Sequence, residues 1–79
     1  AAAWVGEAEN AVNIATKELG VAGSTLAQAE RDFTRADGLV RQGILSPAER
    51  DAARTALDAA RGRNDAAELA LSSARKGLE

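Results

Sequence analysis

The chain contains no cysteine, histidine, tyrosine or methionine, and only one tryptophan, one phenylalanine and one proline. Lacking cysteine and histidine, it has no thiol nucleophile, no disulfide framework, no Ser-His-Asp triad and no His or Cys metal site. With tyrosine also absent, few side chains remain for acid–base chemistry. An enzyme is not expected, and neither a metal nor a cofactor is implied. Charge of one sign is missing too: 10 Lys and Arg stand against 12 Asp and Glu, for a net charge of −2. A sequence-independent nucleic-acid binder needs a basic face. The arginines at 31, 35, 41, 50, 54, 61 and 63 would suit an RNA-binding hairpin, but acids at 30, 32, 37, 49, 51 and 58 interleave with them. No nucleic-acid partner is expected. No run approaches the ~20 apolar residues of a membrane span, and no signal peptide is visible. The first residues are Ala1-Ala2-Ala3 rather than methionine, and no helix stop precedes Glu79. The chain is therefore read as a piece of a longer protein, whose anchoring and targeting parts lie elsewhere.

What the chain has is alanine, 20 residues of 79. Its apolar character is small and cannot fill a bulky globular core. Pro47 divides the chain roughly in half. Ser46 before it suits an N-cap, Pro47 suits the first helical position, and Glu49 completes a Ser-x-x-Glu capping box. Gly43 can adopt the left-handed conformation that ends a helix. Two helices joined by a short loop follow, and short loops make neighbouring helices antiparallel.

The periodicity agrees. Val5, Val12, Leu19, Leu26, Phe33 and Val40 recur every seven residues, and Ala8, Ala15, Ala22, Ala29 and Ala36 each follow three residues later. This is a heptad with the larger residue at a and alanine at every d. After the proline, Leu57, Leu71 and Leu78 hold a, while Ala53, Ala60, Ala67 and Ala74 hold d. Arg50 and Asn64 are the polar a residues, and Asn64 reads as a register device. The expected fold is all-α: a two-helix antiparallel coiled-coil hairpin with an alanine-rich seam. Helices are predicted over 3–41 and 47–77, with a tip loop at 42–46, as one unit over residues 1–79. At 1.5 Å per residue the longer helix measures roughly 60 Å. Gly20 and Gly23 each cost on the order of 1 kcal/mol against alanine, and Thr25 with Gln28 offers a second helix start. The heptad nevertheless runs through them in phase, so one continuous helix is expected. The pattern does not reveal the register between the helices. Such a rod buries little apolar area and has no third layer. It is expected to need its parent, neighbouring hairpins or self-association for support.

Around the loop, Arg35, Leu39 and Ser46 stand in an Arg-x3-Leu-x6-Ser spacing, with Leu39-Val40, Gly43, Ile44-Leu45, Glu49 and Asp51 about them. This resembles the tip motif of bacterial periplasmic adaptors, the membrane fusion proteins of tripartite efflux pumps and type I secretion systems (the HlyD/AcrA-like family). The motif likeness covers residues 35–51, and the architectural likeness covers the whole chain. Leu45 and Pro47 depart mildly from the family's usual residues. The resemblance implies a periplasmic hairpin projecting from a parent anchored to the inner membrane. It implies six adaptors side by side, their hairpins forming a tube. The tube's tip would meet a TolC-like outer-membrane channel, and an inner-membrane transporter would feed the other end. Arg35, Leu39 and Ser46 would then be contact residues, Gly43 would shape the tip, and Ile44 and Leu45 would join the contact.

Each residue also has a plainer role. Ser46 caps a helix whatever the function, and Gly43 ends one. Arg35 has Asp32 three residues earlier and can form an ordinary surface pair. Leu39 flanks the seam at g and can widen the core. Ile44 and Leu45 must either fold back over the helix ends or meet a partner. Ala52, Ala56, Ala59, Ala66 and Ala70 form a second small-residue stripe, which reflects either helix propensity or lateral packing between hairpins. Glu7, Lys17, Asp58 and Arg61 read as a solvated face. The competing function is purely structural: a coiled-coil hairpin that self-associates into a four-helix bundle.

Overall fold

Heptads free of proline on both sides of the Gly43–Pro47 break give two long helices. The structure, a computed structural model, describes the backbone of residues 2–78 and the side chains of residues 6–78. Helix α1 spans Ala2–Arg41 and helix α2 spans Pro47–Lys76. They lie antiparallel along each other as an all-α hairpin, and the backbone measures 63 × 13 × 13 Å. Among the described residues there is no strand, and no helix is long and apolar enough to cross a membrane.

Helix α1 runs without interruption through Gly20 and Gly23. Seam residues on both sides outweigh the local glycine cost: Ala15 and Ala29 are buried, and Leu19, Ala22 and Leu26 are half-buried. The seam is the expected one. Its buried residues are Ala15, Ala29, Ala36, Leu57, Ala60 and Leu71, all at a or d. Ala29, Leu57 and Ala60 form a cluster against which Leu26 and Phe33 pack. Val5, the first expected seam residue, lies outside the described side chains.

Three contacts reveal the register. A Cβ added at Gly23 would lie 3.8 Å from Asn64 Oδ1. Arg50 Nη1 lies 3.8 Å from Asp37 Oδ1. The Arg54 guanidinium stands 5.7 Å from the centroid of the Phe33 ring, within cation–π range. This alignment sets the larger residue of one helix against alanine of the other, as in the Leu26, Ala29, Leu57 and Ala60 cluster. Asn64, half-buried at its a position, turns its amide to Glu68 Oε1 at 3.2 Å.

The C-terminal end differs from expectation. Helix α2 stops at Lys76, and the Gly77 N–H bonds Ala74 O at 3.1 Å and Ser73 O at 3.3 Å. Leu78 N then bonds Arg75 O at 3.0 Å. This tightening toward an i to i+3 pattern turns Leu78 off the seam. It is 44% exposed in a turn rather than packed as an a residue.

Candidate functional site at the tip

The turn is built by backbone hydrogen bonds that glycine makes possible. Gly43 has φ 77°, a conformation costly for residues with a Cβ. Its N–H donates to Val40 O at 3.0 Å, and the Ile44 N–H donates to Leu39 O at 2.8 Å. These two bonds are a Schellman motif, which satisfies carbonyls left open at the end of α1. Leu39 O also accepts from Leu45 N at 3.3 Å. The carbonyl of Leu39 therefore anchors the loop to α1.

Ser46 opens α2 with extended backbone, φ −78° and ψ 153°. Its carbonyl accepts from Glu49 N at 3.0 Å, and its hydroxyl oxygen accepts from the same N–H at 3.4 Å. The Ser46 hydroxyl donates to Glu49 Oε1, also at 3.4 Å. The capping box thus returns through the hydroxyl rather than through the Ser46 backbone amide.

Behind the loop, Asp37 ties the two helices together. Its carboxylate pairs with Arg41, Nη2 to Oδ2 at 2.9 Å, and faces Arg50 Nη1 at 3.8 Å. Arg50, a polar residue in an apolar seam, thereby finds a partner on the other helix. Sequence reasoning misses this tie. Its signal is Asp37 at e in the last two turns of α1, with Arg50 at a in the first turn of α2.

The candidate residues meet different fates. Arg35 is exposed and pairs with Asp32 at 2.9 Å. A pair this exposed adds at most a few tenths of a kcal/mol. Leu39 is half-buried, one turn beyond Arg35 on the same side of α1. Leu45 is half-buried as well, and Ser46 is exposed. Ile44 stands out at 64% exposure. The two loop aliphatics therefore divide: Leu45 partly folds back, and Ile44 points away. Arg35 makes its bond to Asp32, and the loop is held through Leu39.

The tip is thus a stiff turn with one exposed aliphatic at its point, a second aliphatic behind it and a guanidinium one turn down. Such a surface can bind. Among the described residues, no cluster of acidic side chains is set to hold a metal ion. In comparison with known proteins, the chain matches no family, no curated protein and no solved structure.

Proposed function

We propose that the hairpin is a spacer and docking tip of a periplasmic adaptor, meeting a TolC-like outer-membrane channel in an efflux or secretion assembly. The observation that carries this reading is Ile44, 64% exposed on a loop held by the Gly43 turn and the Asp37–Arg50 tie. An exposed apolar residue at the point of a stiff turn suits an interface anchor. Arg35 and Leu39 on the adjoining side of α1, with Ser46 at the start of α2, supply the rest of the patch at the spacing that resembles the adaptor motif. The mechanism is geometric: a rod of set length presents a small patch. Weak contacts of single tips are multiplied when six copies act together. In that arrangement neighbouring hairpins support one another, and parent domains contact the inner-membrane transporter. A nucleic-acid role fits less well, because Arg35, Arg41, Arg50, Arg54 and Arg61 each lie within 4.0 Å of an aspartate.

The test displays the hairpin as a hexamer on a ring-shaped scaffold and measures binding to a purified outer-membrane channel of the same organism. Leu39→Asp is expected to abolish binding and Arg35→Ala to weaken it, with helicity by circular dichroism unchanged. If the wild type binds no channel, or the folded variants bind as well as it does, the hairpin is a structural coiled coil.

A further inference from the structure

The two long sides of the rod are unlike. One side carries Asp51, Asp58 and Asp65 with Arg54, Arg61 and Arg75, all exposed. The other side exposes Ile14 and Val21 from α1, at 50% and 67%, between the charged residues Glu18, Arg35 and Arg63. From α2 it exposes Ala52, Ala56, Ala59, Ala66 and Ala70. An open groove of about 790 Å³ follows this side, lined by Ala52, Ala56 and Ala59 of α2 and by Thr25, Gln28 and Asp32 of α1. A second groove beside Val21 shares Thr25 and Arg63 with the first. The face is continuous and has no third layer against it.

Its relief is self-complementary. The alignment that sets Gly23 beside Asn64 and Asp37 beside Arg50 also sets Ile14 level with Ser73. By the same offset Val21 is level with Ala66, Gln28 with Ala59, and Arg35 with Ala52. Each of these α1 residues is the larger of its pair and each α2 residue is small. All eight occupy the c position of their heptads, beyond the seam.

We propose that this face binds a second copy of the chain, parallel to the first and related by a two-fold axis along the rod. That symmetry lays α1 of each copy over α2 of the other and preserves levels. Val21 then seats on Ala66 of the second copy, Ile14 on Ser73, and Gln28 on Ala59. The packing repeats the large-against-small arrangement of the intramolecular seam. Charge agrees with the same alignment. Arg35 stands within a turn of Glu49 of the second copy, and Glu18 about a turn and a half from Arg63. An antiparallel pair would instead stack α1 on α1 and α2 on α2, with Val21 against bulk and alanine against alanine, and the two helix spacings would not match. A rod 63 Å long and 13 Å wide offers about 800 Å² on one side, the per-partner area of a standard stable interface. The inference does not rest on docking at the tip, and its test needs no channel.

The experiment measures the molar mass of the 79-residue chain by sedimentation equilibrium from micromolar to millimolar concentration. It also measures tip-to-tip distance by pulsed electron resonance on a spin-labelled Ile44→Cys variant. A mass of two copies is expected, with tip labels far closer than the 63 Å length of the rod. Val21→Glu places a charge in the face and Ala66→Gln fills the seat of Val21. Each is expected to raise the dissociation constant tenfold or more, a loss of about 1.4 kcal/mol or more. Ser72→Glu, on the charged side, is expected to leave it unchanged. Both face positions are exposed in the single hairpin, so the seam is untouched, and circular dichroism verifies helicity. A fully helical monomer at millimolar concentration overturns the proposal. So does a mass above two copies, undiminished association of both face variants, or a label separation near the full length of the rod.

Discussion

Glycine has opposite meanings at two places in this chain, and the difference is measurable at single positions. At Gly20, in the middle of α1, a Cβ would meet nothing within 4 Å. Alanine there removes the entropic cost of glycine in a helix, about 1 kcal/mol. Gly20→Ala is therefore expected to raise the melting temperature by several degrees. At Gly43 a Cβ is equally free of neighbours, but φ is +77°. Gly43→Ala is expected to cost about 1–2 kcal/mol through backbone conformation alone. Thermal unfolding followed by circular dichroism compares the two. A lower melting temperature for Gly20→Ala would show that α1 bends there and that its continuity is not what the seam relies on. The fate of the loop aliphatics is set at this scale as well. Ile44 and Leu45 are neighbours of like character, so composition could not say which would be exposed. The fold separates them: Ile44, directly after Gly43, is exposed, and Leu45 is half-buried.

Within helices, the heptad position of a leucine determines its worth. Leu57 and Leu69 both belong to α2, yet Leu57 is 4% exposed and Leu69 70%. Leu57 occupies a and packs with Ala29 and Ala60, while Leu69 occupies f. Leu57→Ala is expected to cost about 2–5 kcal/mol, a large share of the stability of so small a fold. Leu69→Ala is expected to change stability by less than about 0.5 kcal/mol. Urea unfolding of the two variants makes the comparison, and equal losses would mean that α2 buries a different face. This burial pattern is legible in the amino-acid sequence. Leu57, Leu71 and the d alanines stand at seven-residue spacing, and nothing local competes with them. Register is not legible there, because a seam of repeated alanine looks nearly the same after a slip of one heptad. Residues that break the repeat settle it: Gly23 lies beside Asn64, and Asp37 meets Arg50. Each half of such a pair is ordinary in one dimension and acquires meaning only across the two helices. Leu78 leaves the seam for a related reason. The heptad continues through it, but Gly77 gives its amide to the preceding turn and leaves the leucine beyond the helix.

For the whole molecule, thinness is itself a consequence of alanine. The 13 Å width of the backbone requires that helix axes approach closely, near the ~8 Å end of the usual range. Only small residues at d allow this. The seam therefore gains little from apolar area and much from close contact of the two backbones, so adding apolar bulk should harm it. Ala60 is the sharpest place to ask, because it is 3% exposed and sits between Leu26, Ala29 and Leu57. Ala60→Leu adds three heavy atoms of apolar side chain and, by area alone, would be stabilising. The packing argument gives the opposite sign. Leucine would force the helices apart along the rod, lengthen the Asp37–Arg50 approach and open contacts at the neighbouring alanines, at a cost of about 1–3 kcal/mol. The urea midpoint of Ala60→Leu is expected to fall below that of the parent chain, while helix content in the absence of urea stays high. A raised midpoint would mean that the two helices separate readily and that alanine at d sets neither the spacing nor the stability of the rod.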